Sequence, residues 1–240
     1  MNILLTGISR GLGLITAKIL LEQGHTIYGI SRTNTAILNN LMEKYPENVK
    51  LLPYDLLDLK NIRKHVFKEW IGLGTPLHGF INNAALAYND IITNINFEPL
   101  VNMFNVNVFS PMMLTKYVIR QMLLHQNKGS IVHISSISVH TGYKGLAMYA
   151  SSKGALEAFS KNTAREWGKF GIRSNCVVAG FMETEMSASL SEEQKDRIYA
   201  RTSLKKAVEI KSVSETISFL LSEKANSITG QNIIVDSGTI

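Results

Sequence analysis

The chain has 240 residues, 45% hydrophobic and 18% charged, a balance too apolar for disorder and long enough for one substantial core. Its 25 Lys and Arg against 19 Asp and Glu give a formal charge of +6, but the charges are scattered and no nucleic-acid motif accompanies them, so no nucleic-acid partner is expected. The single cysteine, Cys176, excludes an internal disulfide, the histidines form no i, i+4 pair, and no apolar run is long enough to span a membrane, so a metal-free cytoplasmic protein without a membrane anchor is expected.

In chain order, short apolar runs alternate with helical patterns. Residues 3–5 read as a buried strand ending at a glycine turn. Residues 12–23 follow as a helix with Leu12, Ile15, Ile19 and Leu20 at helical spacing, closed by Gly24. Strands at 26–30 and 49–52 flank a helix at 34–45, which Pro46 stops. A helix at 58–71 carries Leu59, Ile62, Val66 and Trp70 on one face and leads to a strand at 80–81. One long helix is predicted over about 98–125, then a strand at 130–134, a helix at 148–168 and a strand at 173–178. Residues 181–208 are polar and helix-prone without a core stripe; a helix at 212–222 and a strand at 232–235 close the chain. Repeated β–α–β order with apolar strands implies α/β architecture. We expect a single doubly wound Rossmann-type domain over 1–240, with a mostly parallel seven-stranded sheet flanked by helices on both faces.

Such a sheet binds its ligand outside the carboxyl ends of the strands, where the strand order switches. After the first strand stands Thr6-Gly7-Ile8-Ser9-Arg10-Gly11-Leu12-Gly13. Gly7 permits a sharp turn, and Gly11 and Gly13 let the backbone and helix start approach a pyrophosphate. After the second strand, Ser31-Arg32 offers a guanidinium where an NAD site usually has an acid. Arg32 and Arg10 suit a 2′-phosphate, so NADP(H) is favoured over NAD. Asp55, followed by Leu56, reads either as an acceptor for an adenine amino group or as a turn cap. Asn82-Asn83-Ala84 offers amides and small residues beside a ribose, or a tie between neighbouring strands.

Tyr149 and Lys153 are an i, i+4 pair on one helical face. A phenol has a reference pKa near 10, and lowering it by about three units needs roughly 4 kcal/mol. A cation at about 5 Å contributes about 3 kcal/mol at an effective dielectric of 20, so Lys153 plus an oxidised nicotinamide has the right magnitude. Ser136 ends the fifth strand thirteen residues before Tyr149, and Asn107 sits mid-helix, where asparagine is a poor former, which signals a task or a kink.

Together these residues resemble the short-chain dehydrogenase/reductase family over essentially the whole chain. The resemblance rests on the Thr6–Gly13 loop, Asp55, Asn82-Asn83-Ala84, Asn107, Ser136, Tyr149-x-x-x-Lys153, Gly180-Phe181-Met182-Glu183-Thr184 and Thr229-Gly230-Gln231. It implies an oxidoreductase moving a hydride between nicotinamide and a carbonyl or alcohol carbon. Tyr149 is then the general acid/base, and Lys153 its partner on the nicotinamide ribose. Ser136 orients the substrate oxygen, and Asn107 holds a water linked to Lys153. Gly180, Met182 and Thr184 lie at the cofactor, Thr184 on the carboxamide, and 181–208 forms a substrate lid.

Phe181-Met182-Glu183-Thr184-Glu185-Met186 is closest to the 3-oxoacyl-[acyl-carrier-protein] reductases, which implies a 3-oxoacyl thioester carried on acyl-carrier protein or CoA. The docking arginines expected of that subfamily are missing, although lysines Lys128 and Lys169 are close by; Ala85 replaces a usual glycine and Ala179 a usual proline. Another ketone substrate, or a non-catalytic NADP-binding regulatory protein, is the alternative. The resemblance also implies a homo-oligomer, dimer or tetramer, packed through the helices near 98–125 and 148–168, with Met112, Met113 and Phe159 available for interface or core.

Overall fold

Seven strands form one all-parallel sheet in the computed structural model, which describes residues 1–184 and 190–240. In chain order they are β1 (Asn2–Thr6), β2 (Thr26–Ser31), β3 (Val49–Pro53), β4 (Gly79–Asn82), β5 (Gly129–Ser136), β6 (Ile172–Ala179) and β7 (Asn232–Val235). Their spatial order is β3-β2-β1-β4-β5-β6-β7. The chain winds outward from β1 in one direction and from β4 in the other, so the switch point lies between them.

Strand alternation divides the core. Ile3 and Leu5 pack to one side with α1 (Gly11–Glu22) and α8 (Ile210–Leu221). Leu4 and Phe80 pack to the other with a π-helical segment (Ile62–Trp70) and α4 (Ser110–Leu124). The remaining helices are α2 (Ala36–Lys44), α3 (Phe97–Phe104), α5 (Ser138–Thr141), α6 (Ala147–Trp167) and α7 (Glu192–Arg201). Among the described residues no helix is long and apolar enough to cross a membrane.

Two departures from the sequence expectations bear on function. The helix expected over 98–125 is interrupted: α3 and α4 are joined by a π-helical turn, Asn105–Phe109, with Asn107 at its centre. Pro111 is the cause. It has no N–H to offer the carbonyl of Asn107, four residues back, so the α ladder breaks there. The next ladder bond runs from the Ser110 N–H to the Asn105 carbonyl, five residues back. Second, α5 follows β5 almost immediately, turning the chain back over the strand end that carries Ser136.

At Ala179 the ladder continues on both sides, pairing with Ser136 and with Val235. Proline there would forfeit a donor inside the sheet. Part of the segment expected to be a lid, 185–189 with Glu185 and Met186, lies outside the described residues. On either side of it, the Tyr199 hydroxyl of α7 donates to Glu183. Beyond α7, Ser203 and Leu204 donate backbone bonds to Gly238 and Ser237, fastening the segment to the C-terminal turn.

Candidate active site

A cleft of about 620 Å³ opens at the carboxyl ends of β1, β2 and β4, at the switch point. Its walls bring together Gly7, Ser9, Arg10, Gly11 and Leu12 of the first loop, Arg32 beyond β2, and Asp55 and Leu56 beyond β3. Asn83 and Ala84 beyond β4, Tyr149 and Lys153 of α6, and Met182 and Thr184 complete the set. Gly13, Asn107, Ser136 and Gly180 are not on the wall.

The glycine loop divides its labour. Gly7 and Gly11 take φ of 75° and 53°, a region that side chains disfavour. Gly13 has an ordinary φ, but a Cβ there would lie 2.1 Å from the Gly7 carbonyl oxygen. The sequence reading placed Gly13 against a pyrophosphate; here it lets α1 pack onto the loop. Gly180 is likewise a packing glycine, since a Cβ would sit 2.6 Å from Asp236 Cα. Helix α1 begins after Arg10 with no side-chain cap and no acidic residue in its first turn. Its first N–H groups, unclaimed by a side-chain cap, face a cleft flanked by two guanidinium groups, and this fits a dinucleotide phosphate.

The loop after β2 is built to hold Arg32 in place. Ser31 Oγ donates to Thr33 O at 2.7 Å, and Thr35 Oγ1 donates to Ser9 O at 2.8 Å while capping α2. Asn83 serves both roles foreseen for it. It lines the cleft, and its Nδ2 donates to Thr6 O and Gly7 O at 2.9 and 3.1 Å, tying β4 to β1. One carboxylate oxygen of Asp55 accepts from Leu57 N at 3.0 Å, so the turn-cap role is present alongside its place on the wall.

At the inner end, Lys153 Nζ lies 5.6 Å from the centroid of the Tyr149 ring and donates to Ile134 O at 2.8 Å. Burial governs both groups. It holds the Lys153 ammonium down to about 8, against a smaller raising effect of Cys176, and pushes the Tyr149 phenol up to about 12. From sequence, Lys153 together with an oxidised nicotinamide is expected to lower Tyr149. In the cofactor-free protein, desolvation opposes ionisation by about 3 kcal/mol, the size of the attraction estimated from sequence. Tyr149 is therefore protonated at neutral pH, and its hydroxyl has no hydrogen-bond partner among the described residues.

Behind the wall, Asn107 is a strut. Its Oδ1 accepts from Leu86 N at 2.8 Å, and its Nδ2 donates to Leu86 O and Ser152 Oγ at 2.8 and 3.0 Å. It thus clamps the loop after β4 to α6, one residue from Lys153. Ser136 Oγ accepts from Ser138 N and Ser138 Oγ at 3.2 and 3.0 Å. Sequence reasoning missed Thr33, Tyr54 and Asn89 on the wall. Thr33, directly after Arg32 at a strand end, carried the only available signal.

A family model described as enoyl-(acyl carrier protein) reductase matches residues 7–239. Pig (Sus scrofa) carbonyl reductase [NADPH] 2 is 32% identical over 237 residues, 98% of this chain and 94% of that protein. The 3-oxoacyl-[acyl-carrier-protein] reductase of Aquifex aeolicus is 31% identical over 238 residues, 98% and 95% of the two chains. L-xylulose reductase of Caenorhabditis elegans is 29% identical over 239 residues, 99% and 94%. Among solved structures, ElxO with NADP bound superposes with a TM-score of 0.89 at 27% identity, over 99% of this chain and 98% of that one. A 4-hydroxyisoleucine dehydrogenase mutant complexed with NADH and succinate gives 0.93 at 25% identity, over 100% and 98%. The chain belongs to the short-chain dehydrogenase/reductase family, whose members are nicotinamide-dependent oxidoreductases.

Proposed function

We propose that this protein reduces a ketone with NADPH, with Tyr149 giving the proton to the carbonyl oxygen. The observation that carries this reading is the meeting, in one cleft, of the Tyr149–Lys153 face of α6 with the glycine loop and Arg32. The bound cofactor supplies the hydride. Arg10 and Arg32 hold its 2′-phosphate, Gly7 to Leu12 its pyrophosphate, and Asp55 and Leu56 its adenine end. Met182 and Thr184 hold the nicotinamide end, and Lys153 the nearby ribose.

Tyr149 is a phenol at neutral pH, so its proton is available to a carbonyl oxygen without prior ionisation. Lys153 stabilises the phenolate left behind, and Ser136 orients the oxygen that receives the proton. The Asn107 side chain is spent on Leu86 and Ser152. Its main-chain carbonyl, which Pro111 deprives of an α-helical donor, is the group that holds the water linked to Lys153. Residues 181–208 close over the substrate.

For substrate we favour a 3-oxoacyl thioester on acyl-carrier protein or CoA. The similar identity of the carbonyl and xylulose reductases supports a second reading, a small ketone or sugar. Comparing kcat/KM for acetoacetyl-CoA, diacetyl and L-xylulose decides between them: acetoacetyl-CoA ahead by tenfold supports the first, the reverse order the second. We also propose a homo-oligomer, dimer or tetramer, packed through α3–α4 and α6; beside α4, Phe109 stays 47% exposed next to Met112 and Met113. Phe159 of α6 is partly buried and packs edge-on against buried His133.

Arg32→Asp tests the phosphate assignment. It should weaken NADPH by about 100-fold, through loss of a charge-assisted contact and gain of repulsion, and leave NADH within about threefold. Titration of both cofactors by nicotinamide fluorescence reads the ratio; an unchanged ratio removes Arg32 from phosphate recognition.

A further inference from the structure

Glu157 lies one helical turn beyond Lys153 and two beyond Tyr149, on the same face of α6. It is 8% exposed, an unfavourable place for a carboxylate unless donors surround it. Three do. Ser135 Oγ donates to Oε1 at 2.5 Å, His140 Nε2 lies 3.2 Å from the same oxygen, and Asn232 Nδ2 donates to Oε2 at 2.7 Å.

The placement of these partners gives the cluster its meaning. Ser135 immediately precedes Ser136 at the end of β5, and His140 lies in α5, four residues beyond Ser136. Between them, Ser138 donates to Ser136 Oγ through both its N–H and its hydroxyl. Glu157 therefore grips the Ser136 turn on both sides and fastens it to the helix that carries Tyr149 and Lys153. Asn232 extends the grip to β7. The proposed reaction needs the Ser136 and Tyr149 hydroxyls to converge on one oxygen, yet they come from different elements. Asn107 braces α6 to the loop after β4, and does not touch the Ser136 turn.

We propose that Glu157 is a positioning residue that fixes Ser136 relative to Tyr149 and Lys153. This rests on the ketone-reduction reading above. A packing role alone would make any loss of rate independent of Ser136; a positioning role would make it vanish once the Ser136 hydroxyl is gone.

The test is a double-mutant cycle, read as kcat with NADPH and the panel ketone that turns over fastest. Glu157→Leu should lower kcat about 30-fold, with the NADPH dissociation constant within about twofold of wild type. Glu157→Gln should restore kcat to within about threefold, because the amide oxygen still accepts from Ser135 and His140, and Asn232 can turn its own amide to match. Ser136→Ala should be slow, and Glu157→Leu/Ser136→Ala no slower than Ser136→Ala within about threefold.

His140→Ala repeats the cycle at a half-exposed position, should Glu157→Leu fail to fold. It should cost about fivefold alone and nothing further beside Ser136→Ala. Multiplicative losses, with Ser136→Ala itself slow, overturn the positioning role and leave the reaction assignment standing. A Ser136→Ala variant at wild-type kcat overturns both the positioning role and the part assigned to Ser136.

Discussion

Tyr149→Phe lowers kcat by about 1000-fold and leaves NADPH affinity within about twofold, because one atom is removed and that atom is the proton donor. The ring still fills its place under Lys153 Nζ, 5.6 Å away, and the hydroxyl makes no hydrogen bond to the described protein that its loss would break. Folding should be unaffected for the same reason. Stopped-flow mixing of NADPH-loaded variant with ketone gives the chemical step directly, and fluorescence titration gives the cofactor affinity. A variant that turns over at wild-type rate would take the acid role away from Tyr149.

Lys153→Met should stabilise the cofactor-free protein at pH 7 while abolishing turnover. Lys153 is 2% exposed, and burial lowers its pKa from 10.5 to about 8. Between those values the unfolded chain binds more protons than the folded one, so wild-type stability rises with pH across that window. Below pH 8 the full cost of burying the cation is present, about 3 kcal/mol. Methionine has a similar length and no charge, so it removes this cost. It also loses the bond to Ile134 O, about 1 kcal/mol. A net gain of about 2 kcal/mol at pH 7, fading as pH rises from 8 towards 10.5, is expected in urea unfolding. A less stable variant at pH 7 would mean that Lys153 is held by more than the function assigned to it. The expected trade, stability for activity, is common where a site keeps a buried charge.

Much of the architecture could be read from the chain because apolar runs, glycine turns and helical spacing agree with one another along it. What the chain does not reveal is close packing and desolvation, which local patterns do not encode. Gly13 reads from sequence as room for a pyrophosphate, and the structure adds that a Cβ there would meet the Gly7 carbonyl oxygen of the same motif. The π turn at Asn107 is half legible: an asparagine mid-helix signals a task or a kink, and Pro111, four residues on, withholds the next α-helical donor. Lys153 together with a bound oxidised nicotinamide is expected from sequence to acidify Tyr149; periodicity carries no information on desolvation, which raises the phenol in the cofactor-free protein. Glu157 looked like an ordinary helix former. Only the fold shows that its three partners come from β5, α5 and β7.

The most direct test of the central claim is the absorbance of NADPH at 340 nm on adding acetoacetyl-CoA or another ketone of the panel, with NADH in parallel. The account predicts loss of absorbance with at least one ketone, at least tenfold faster with NADPH, and its disappearance in Tyr149→Phe. Tight NADPH binding with no loss of absorbance for any ketone, or loss that survives in Tyr149→Phe, would contradict it.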